Sequence, residues 1–399
     1  MRGMRVDKSK WDISYFKDIA VILNGYAFKS DKYCSDGIRI IRITNVQDGF
    51  IEDNGPKFYP YSTENGLQKY MLRENDLLIS LTGNVGRVGI LNDSFLPAAL
   101  NQRVGCIRPK NKVNTKFIYY QLRKNSFKED CINSSKGVAQ LNMSTEWLKD
   151  YKLFVPPLVE QQEIVAELDA VQAMIDGYKA QIADLDDLAQ SIFLDMFGDP
   201  TINSKGWEIL KIGEICEVTS SKRIYQSEQT KSGIPFYKIS DFPNLIEYGY
   251  SDTEIFISQA KYEELKSQKL VPNENDLLIT SRGTLGLCYI VKDGDRFYFQ
   301  DGMITWLRNL KPTVLSAFLG FMFQSSLFKN QIEKAQNGST IAYLSISMIR
   351  KFDMIVPPIK LQQHFATQVE VIEQQKELLR QQLADAETLM AERMQYYFS

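Results

Sequence analysis

Val155-Pro156-Pro157-Leu158-Val159-Glu160-Gln161-Gln162 and Val356-Pro357-Pro358-Ile359-Lys360-Leu361-Gln362-Gln363 are one motif written twice. Each copy closes a β-rich stretch and opens a helical one, because proline is tolerated in the first turn of a helix and not inside it. Upstream of each copy the same landmarks recur in the same order. Trp11-Asp-Ile with Lys17-Asp18-Ile19 returns as Trp207-Glu-Ile with Gly213-Glu214-Ile215. Ile38-Arg-Ile-Ile-Arg-Ile-Thr-Asn returns as Ile234-Pro-Phe-Tyr-Lys-Ile-Ser-Asp. Asn75-Asp-Leu-Leu-Ile-Ser80, with Gly83 and Gly86, returns as Asn275-Asp-Leu-Leu-Ile-Thr280, with Gly283 and Gly286. Gly137 returns as Gly338, and the offset between copies drifts only from 196 to 201. Four ordered matches at a near-constant offset make this a tandem duplication.

Within each copy the period changes at the Pro-Pro. Arg39–Val46, Asp76–Leu81, Val85–Leu91 and Val104–Pro109 are short β-branched runs and read as strands. Lys116–Cys131 and Leu315–Ala335 carry helical apolar spacing, so each copy is α+β. After the first Pro-Pro, Ile164, Leu168, Val171, Ile175, Tyr178, Ile182, Leu185, Ala189, Ile192 and Met196 follow a strict 4-3 spacing. Sustained over four or more heptads, that spacing predicts a coiled-coil seam. The second helix shows Phe365, Val369, Ile372, Leu379, Leu383, Ala386, Met390 and Tyr397, with Lys376 and Arg393 interrupting the register. Gly198-Asp199-Pro200 supplies the stop for the first helix. The expected organisation is a first domain over 1–157, a long helix over 158–198, a second domain over 199–355 and a second long helix over 356–399. The helices are expected to pair as an antiparallel coiled coil with pseudo-two-fold symmetry, each spanning roughly 55–60 Å.

The net charge of −2 conceals an uneven distribution. Lys+Arg minus Asp+Glu is 24 − 16 = +8 over residues 1–157 and 1 − 10 = −9 over 158–199. It is 18 − 17 = +1 over 200–355 and 4 − 6 = −2 over 356–399. The first domain therefore suits a polyanion, the second does so through local patches, and the helix does not. The helix acids Glu160, Glu163, Glu167, Asp169, Asp176, Asp184, Asp186 and Asp187 either face a basic partner or are a solvated face.

No apolar run approaches the ~18 residues of a membrane span. The start, Met-Arg-Gly-Met-Arg-Val-Asp-Lys, lacks a secretory apolar region. Cys34, Cys106, Cys131, Cys216 and Cys288 are scattered, which suits reduced thiols in a cytoplasmic protein rather than a disulfide framework or a zinc site. Exocyclic-amine methylation would need an Asn/Asp-Pro-Pro-aromatic loop, and here both Pro-Pro pairs follow Val and open helices. Gly83-Asn-Val-Gly86 lies between two strands, which makes it a hairpin and not a phosphate cradle. His364 stands without evident partners, so a structural or interface role is expected for it. Asp252 with Glu264-Leu265-Lys266 matches a metal-nuclease pattern only superficially, because such a site needs strands to position its acids and Gln259–Lys266 reads as a helix with exposed charges. No catalytic, cofactor or metal residue is expected.

The tandem Val-Pro-Pro…Gln-Gln helices, the Asn-Asp-Leu-Leu-Ile strands and the Leu194-Asp-Met-Phe-Gly-Asp-Pro200 linker closely resemble the specificity subunits of type I restriction-modification systems. The resemblance covers essentially the whole chain. It implies a non-catalytic, DNA-binding subunit with two target recognition domains, each reading one half of an asymmetric bipartite target in double-stranded DNA. It further implies that the helix pair acts as a ruler and docks two DNA-methyltransferase subunits. Motor-endonuclease subunits would join for cleavage, and S-adenosylmethionine would be bound by the methyltransferase partner.

Sequence reading uses polar side chains on loops together with Lys and Arg on phosphates. Three loop pairs qualify. The first is Thr82–Arg87, offering Asn84 and Arg87, with Arg282 and Thr284 as counterparts. The second is Gly25–Lys29, offering Tyr26 and Lys29, with Lys222 and Arg223. The third is Ser134–Gln140, offering Lys136 and Gln140, with Asn337 and Ser339. Arg103 is either a further contact or a partner in a salt bridge at the core edge. The alternative for every loop is ordinary turn chemistry in solvent.

Overall fold

The computed structural model describes residues 7–61, 66–110, 113–135, 141–336 and 342–398. Two compact units emerge, residues 1–180 with 380–399, and residues 181–379. The first contains β1 (Asp12–Tyr15), α1 (Phe16–Ile19), β2 (Ala20–Asn24), β3 (Ile38–Ile41), β4 (Phe58–Tyr59), β5 (Leu77–Ser80), β6 (Val88–Ile90), β7 (Ala98–Leu100) and β8 (Val104–Pro109). It continues with α2 (Thr115–Leu122), α3 (Asn125–Ser134), α4 (Thr145–Lys149), β9 (Lys152–Val155) and the start of α5 (Leu158–Phe197).

The second unit takes the rest of α5, then β10 (Glu208–Lys211), α6 (Ile212–Ile215), β11 (Glu217–Thr219), β12 (Gln229–Thr230), β13 (Ile234–Tyr237), α7 (Phe242–Tyr248), β14 (Phe256–Ile257) and α8 (Gln259–Ser267). It continues with β15 (Leu277–Thr280), β16 (Cys288–Ile290), β17 (Tyr298–Phe299), β18 (Ile304–Arg308), α9 (Ser316–Gln324), α10 (Ser326–Gln336), α11 (Ile346–Ile349), β19 (Asp353–Val356) and the first part of α12 (Ile359–Phe398).

Each unit holds an antiparallel four-stranded sheet, ordered β2-β8-β5-β6 in the first and β11-β18-β15-β16 in the second, beside a mixed sheet ordered β4-β3-β7 in the first and β12-β14-β13-β17 in the second. Even the register repeats, with Leu77 opposite Ile107 and Leu277 opposite Leu307. The Leu-Leu-Ile run explains why this strand is central. Side chains alternate faces along a strand, so an unbroken apolar run needs cover on both sides. Leu77 and Ile79 pack under α2 and α3, while Leu78 packs the other way with Ile41, Leu100 and Val104. Leu277 and Ile279 repeat the first arrangement, and Leu278 joins Trp306 and Phe299 on the opposite side.

The Pro-Pro motif has a structural cause. Gln161 is fully buried; its amide donates to the Pro156 carbonyl at 2.8 Å and accepts from the Asn114 N–H at 2.8 Å. Gln362 repeats this, donating to the Pro357 and Thr313 carbonyls and accepting from the Leu315 N–H at 2.9 Å. One side chain thus ties the start of a long helix to the start of α2 or α9, satisfying backbone groups that burial would otherwise strand.

Several expected elements are shorter than their patterns. The strand over 39–46 stops at Ile41, because the Asn45 side chain accepts from the Arg42 N–H and donates to the Glu52 carbonyl, folding Ile43–Asn45 into a tight turn. Both apolar helical runs break in two, at extended Lys124 and extended Ser325. The break turns Phe127 and Phe328, both fully buried, back onto the core.

The long helices form a seam within each unit. In the first, Ile164, Leu168, Val171 and Ile175 of α5 are buried, with Ala386, Tyr397 and Phe398 of α12. Glu167 meets Arg393 at 3.0 Å and Lys179 meets Glu387 at 3.1 Å, so the helices run antiparallel there. In the second unit the heptad reading needs correction. Ile182 and Leu185 are only half-buried, and Phe193 and Phe197 replace Ile192 and Met196 as the buried residues. Their rings pack with Phe318 and Phe365, and that aromatic cluster shifts the seam off the heptad line. α5 ends at Phe197, where Gly198 takes φ 76° and its N–H bonds the Leu194 carbonyl at 2.8 Å.

The acidic face of α5 is partly consumed at home. Glu160 accepts from the Trp11 indole, Glu167 from the Tyr397 hydroxyl, and Asp169 from the Tyr120 hydroxyl and Lys116. Among the described residues no helix is long and apolar enough to cross a membrane.

Candidate nucleic-acid interface

The hairpin between β5 and β6 is held by its own backbone. Ser80 Oγ donates to the Asn84 carbonyl at 2.6 Å and accepts from the Arg87 N–H at 2.9 Å. Gly83 and Gly86 take φ 68° and 82°. At Gly86 a side chain is excluded twice, by the left-handed backbone and by Cys131, whose sulfur lies 3.0 Å from where a Cβ would stand. The hairpin of the second unit is the same object. Thr280 Oγ1 donates to the Thr284 carbonyl at 2.5 Å and accepts from the Leu287 N–H at 2.9 Å, and Gly286 at φ 80° lies against Ile332. A fixed loop carries whatever side chain occupies its tip to the same place, so the tip can change without altering the platform.

Two of the loops proposed from sequence, at 25–29 and 82–87, meet in the first unit. The turn at 101–103 lies between them, with the Leu81 N–H on the Arg103 carbonyl at 3.0 Å and the Gln102 N–H on the Tyr26 carbonyl at 3.0 Å. Gly25 is required there, since a Cβ would stand 2.1 Å from the Asn101 carbonyl oxygen. Residues 141–143 run beside the hairpin, with the Gly83 N–H on the Leu141 carbonyl and the Met143 N–H on the Leu81 carbonyl. Lys136, Gln140, Asn337 and Ser339 lie outside the described residues. Around this junction is a groove of about 420 Å³ lined by Thr44, Gln47, Asn54, Thr82, Asn84, Arg87 and Arg103 among others, and among the described residues none that lines it is acidic.

The groove residues differ in freedom. Arg87 is anchored, donating to the Gln47 side chain at 3.0 Å. Asn84 is exposed, and among the described residues its side chain has no partner. Thr82 Oγ1 is buried without a hydrogen bond among the described residues. Tyr26 packs against Phe28 and Tyr70 at 5.1 and 5.2 Å, with 38% of its surface exposed. Lys29 is exposed.

The second unit shows a parallel junction with other side chains. The Ser281 N–H bonds the Met303 carbonyl at 2.8 Å, and Ser220 Oγ receives the Gly302 N–H. Arg223 is paired with Asp301 at 2.8 Å. Arg282 lies 4.8 Å over the Tyr343 ring. Lys222 stands 3.9 Å from Glu264, and Thr284 is exposed. Arg87 and Arg103 are replaced by Leu287 and Met303 in the repeat register, so the first unit's surplus of positive charge reaches this junction itself.

The profile of the type I restriction modification DNA specificity domain matches residues 8–185 and again residues 204–388. The chain belongs to the type I restriction-modification DNA specificity family. A putative type I restriction enzyme specificity subunit of Haemophilus influenzae is 25% identical over 351 residues, covering 85% of this chain and 86% of that protein. The putative MjaX specificity subunit of Methanocaldococcus jannaschii is 26% identical over 400 residues, covering 93% and 89%. In fold, the type I S subunit of M. genitalium superposes with a TM-score of 0.59 at 14% identity, over 99% of this chain and 98% of that one. The family assignment makes this a DNA sequence-specificity subunit carrying two target recognition domains. Each matched specificity segment contains one complete hairpin junction.

Two features noted in the sequence sit away from these junctions. His364 is exposed on α12 beside Asp195 and Gln368. Glu264 lies on α8, where a hydrogen bond from Lys261 holds its carboxyl below the usual range. Sequence reasoning named Asn84 and Arg87 but left Arg103 undecided and passed over Gln47 and Thr82. Alignment of Asn101-Gln-Arg with Asp301-Gly-Met, the turn joining matched strands, was the available signal for Arg103.

Proposed function

We propose that the two domains read the unequal halves of a bipartite target in double-stranded DNA. The single observation that carries this is the pair of hairpins with identical hydroxyl clamps and glycine geometry and different tips, Asn84 with Arg87 against Thr284 with Leu287. One platform with two side-chain sets specifies two half-sites, and readers on one DNA face need centres about one helical turn apart, ~34 Å, or a multiple. The α5–α12 pair acts as the ruler and as the docking surface for two DNA-methyltransferase subunits, with motor-endonuclease subunits joining for cleavage. The chain itself supplies recognition and no chemistry; S-adenosylmethionine is held by the methyltransferase partner, and the complex works in the cytoplasm.

The test is base-modification mapping of DNA from cells carrying this chain and its methyltransferase partner. A methylated motif of two different short halves around a fixed spacer is expected. A continuous motif, a palindromic one, or methylation without sequence preference overturns the proposal.

A further inference from the structure

We infer that Arg103 is a base-reading residue of the first domain, directed at guanine, while neighbouring Arg87 is a fixed positioning residue. The inference rests on the reading of these domains as half-site readers. Arginine is suited to guanine because its planar fork donates two parallel hydrogen bonds to O6 and N7 in the major groove. To do so the guanidinium must be free to turn. Arg87 is not, because Gln47 holds it at 3.0 Å. Arg223 and Arg282 of the second domain are not free either, the one bound to Asp301 and the other lying on Tyr343.

Arg103 differs from all three. Its backbone is locked on both sides, the carbonyl accepting from Leu81 and the N–H donating to the Asn101 side chain at 3.2 Å. Its side chain is exposed at the rim of the groove and, among the described residues, has no hydrogen-bond or ion-pair partner. A rigid stem with an uncommitted fork, beside the uncommitted amide of Asn84 and the unsatisfied hydroxyl of Thr82, is what direct reading requires. At the matching position of the second domain stands Met303, which cannot form this pair. The guanine contact therefore belongs to one half of the target and not to the other.

The experiment uses the complex of the full chain with its methyltransferase subunit. Wild type, Arg103→Met and Arg103→Lys are compared by methylation mapping in cells. They are also compared by binding to duplexes carrying each of the four base pairs at every position of the first half-site. For Arg103→Met, preference at one guanine should fall on the order of ten- to a hundredfold, with other positions unchanged. Arg103→Lys should weaken the same preference while keeping affinity for non-target duplex and its salt dependence near wild type, since it retains the charge and loses the fork. Melting of Arg103→Met should match wild type, because its side chain supports no fold contact. An unchanged motif overturns the assignment. So does a uniform weakening at every position with a shallower salt dependence, which would make Arg103 a phosphate contact. A wild-type motif that is not bipartite would overturn the half-site reading itself, and this assignment with it.

Discussion

Lys376 stands at a seam position of α12, 6% exposed, with its ammonium 2.6 Å from the Asp186 carboxylate on α5. Glu373 adds a second acceptor at 2.8 Å on the same helix. A lone cation in a helix seam costs desolvation that apolar packing would not, and such residues are best known for fixing register. Both carboxylates are about half exposed, so removing the lysine strands no buried charge. Lys376→Met should therefore leave the chain as stable or more stable, by about 1 kcal/mol. A drop of several degrees in melting temperature would contradict this.

Asp76 and Asp276 occupy matched positions and should respond oppositely to neutralisation. Asp76, 3% exposed, holds Arg108 through two bonds of 2.6 and 2.7 Å. Asp76→Asn breaks a buried pair and should cost about 3 kcal/mol. Asp276 accepts instead from the Trp306 indole at 2.9 Å and the Asn273 N–H, and burial pushes its carboxyl above the ordinary value of 3.8. A folded-state pKa raised above the unfolded one gives stability that is present below the unfolded value and lost as pH rises through the folded one. Asp276→Asn keeps both accepted bonds and should change stability by less than about 1 kcal/mol at pH 7, in the stabilising direction. Thermal melts of the two variants across pH 4 to 8 check the contrast.

The clamp hydroxyls should matter to binding through the loop they hold. Ser80→Ala leaves the Asn84 carbonyl and Arg87 N–H without this partner and should cost roughly 1 kcal/mol of stability. Ser80→Thr, which copies the second domain, should restore the loop. Amide exchange at Arg87 and retention of target DNA should move together across the pair. Retention that ignores both substitutions would detach the hairpin from recognition.

Gln161→Ala and Gln362→Ala each abandon buried backbone groups at the root of a long helix. Each should cost about 2–3 kcal/mol, and Glu should not substitute, because the donor to the Pro156 or Pro357 carbonyl is lost. Urea unfolding is the measurement, and a cost below about 0.5 kcal/mol would remove the glutamine from its assigned role.

Much of this was legible because it lay in spacing. The Leu-Leu-Ile run, the two glycines of each hairpin and the Pro-Pro helix starts are local rules, and repetition at a near-constant offset raised them above chance. What escaped depended on contacts distant in sequence. Nothing around Lys124 or Ser325 announces a break; the helix bends because Phe127 and Phe328 find the core. Phe193 and Phe197 displaced heptad neighbours because Phe318 and Phe365, more than a hundred residues away, were there to receive them. Asn84 and Arg87 could be named from a turn, but that Gln47 ties one and leaves the other free required the fold.

The first unit includes Tyr397 and Phe398, whose rings complete the cluster around Trp11 and Phe117. A ribosome thus makes most of the first recognition domain long before it makes the last wall of its core. The domain that begins first can only finish when residue 398 has emerged, so until then its helix face waits uncovered, and a nascent chain interrupted after residue 379 would carry a finished second core and an open first one.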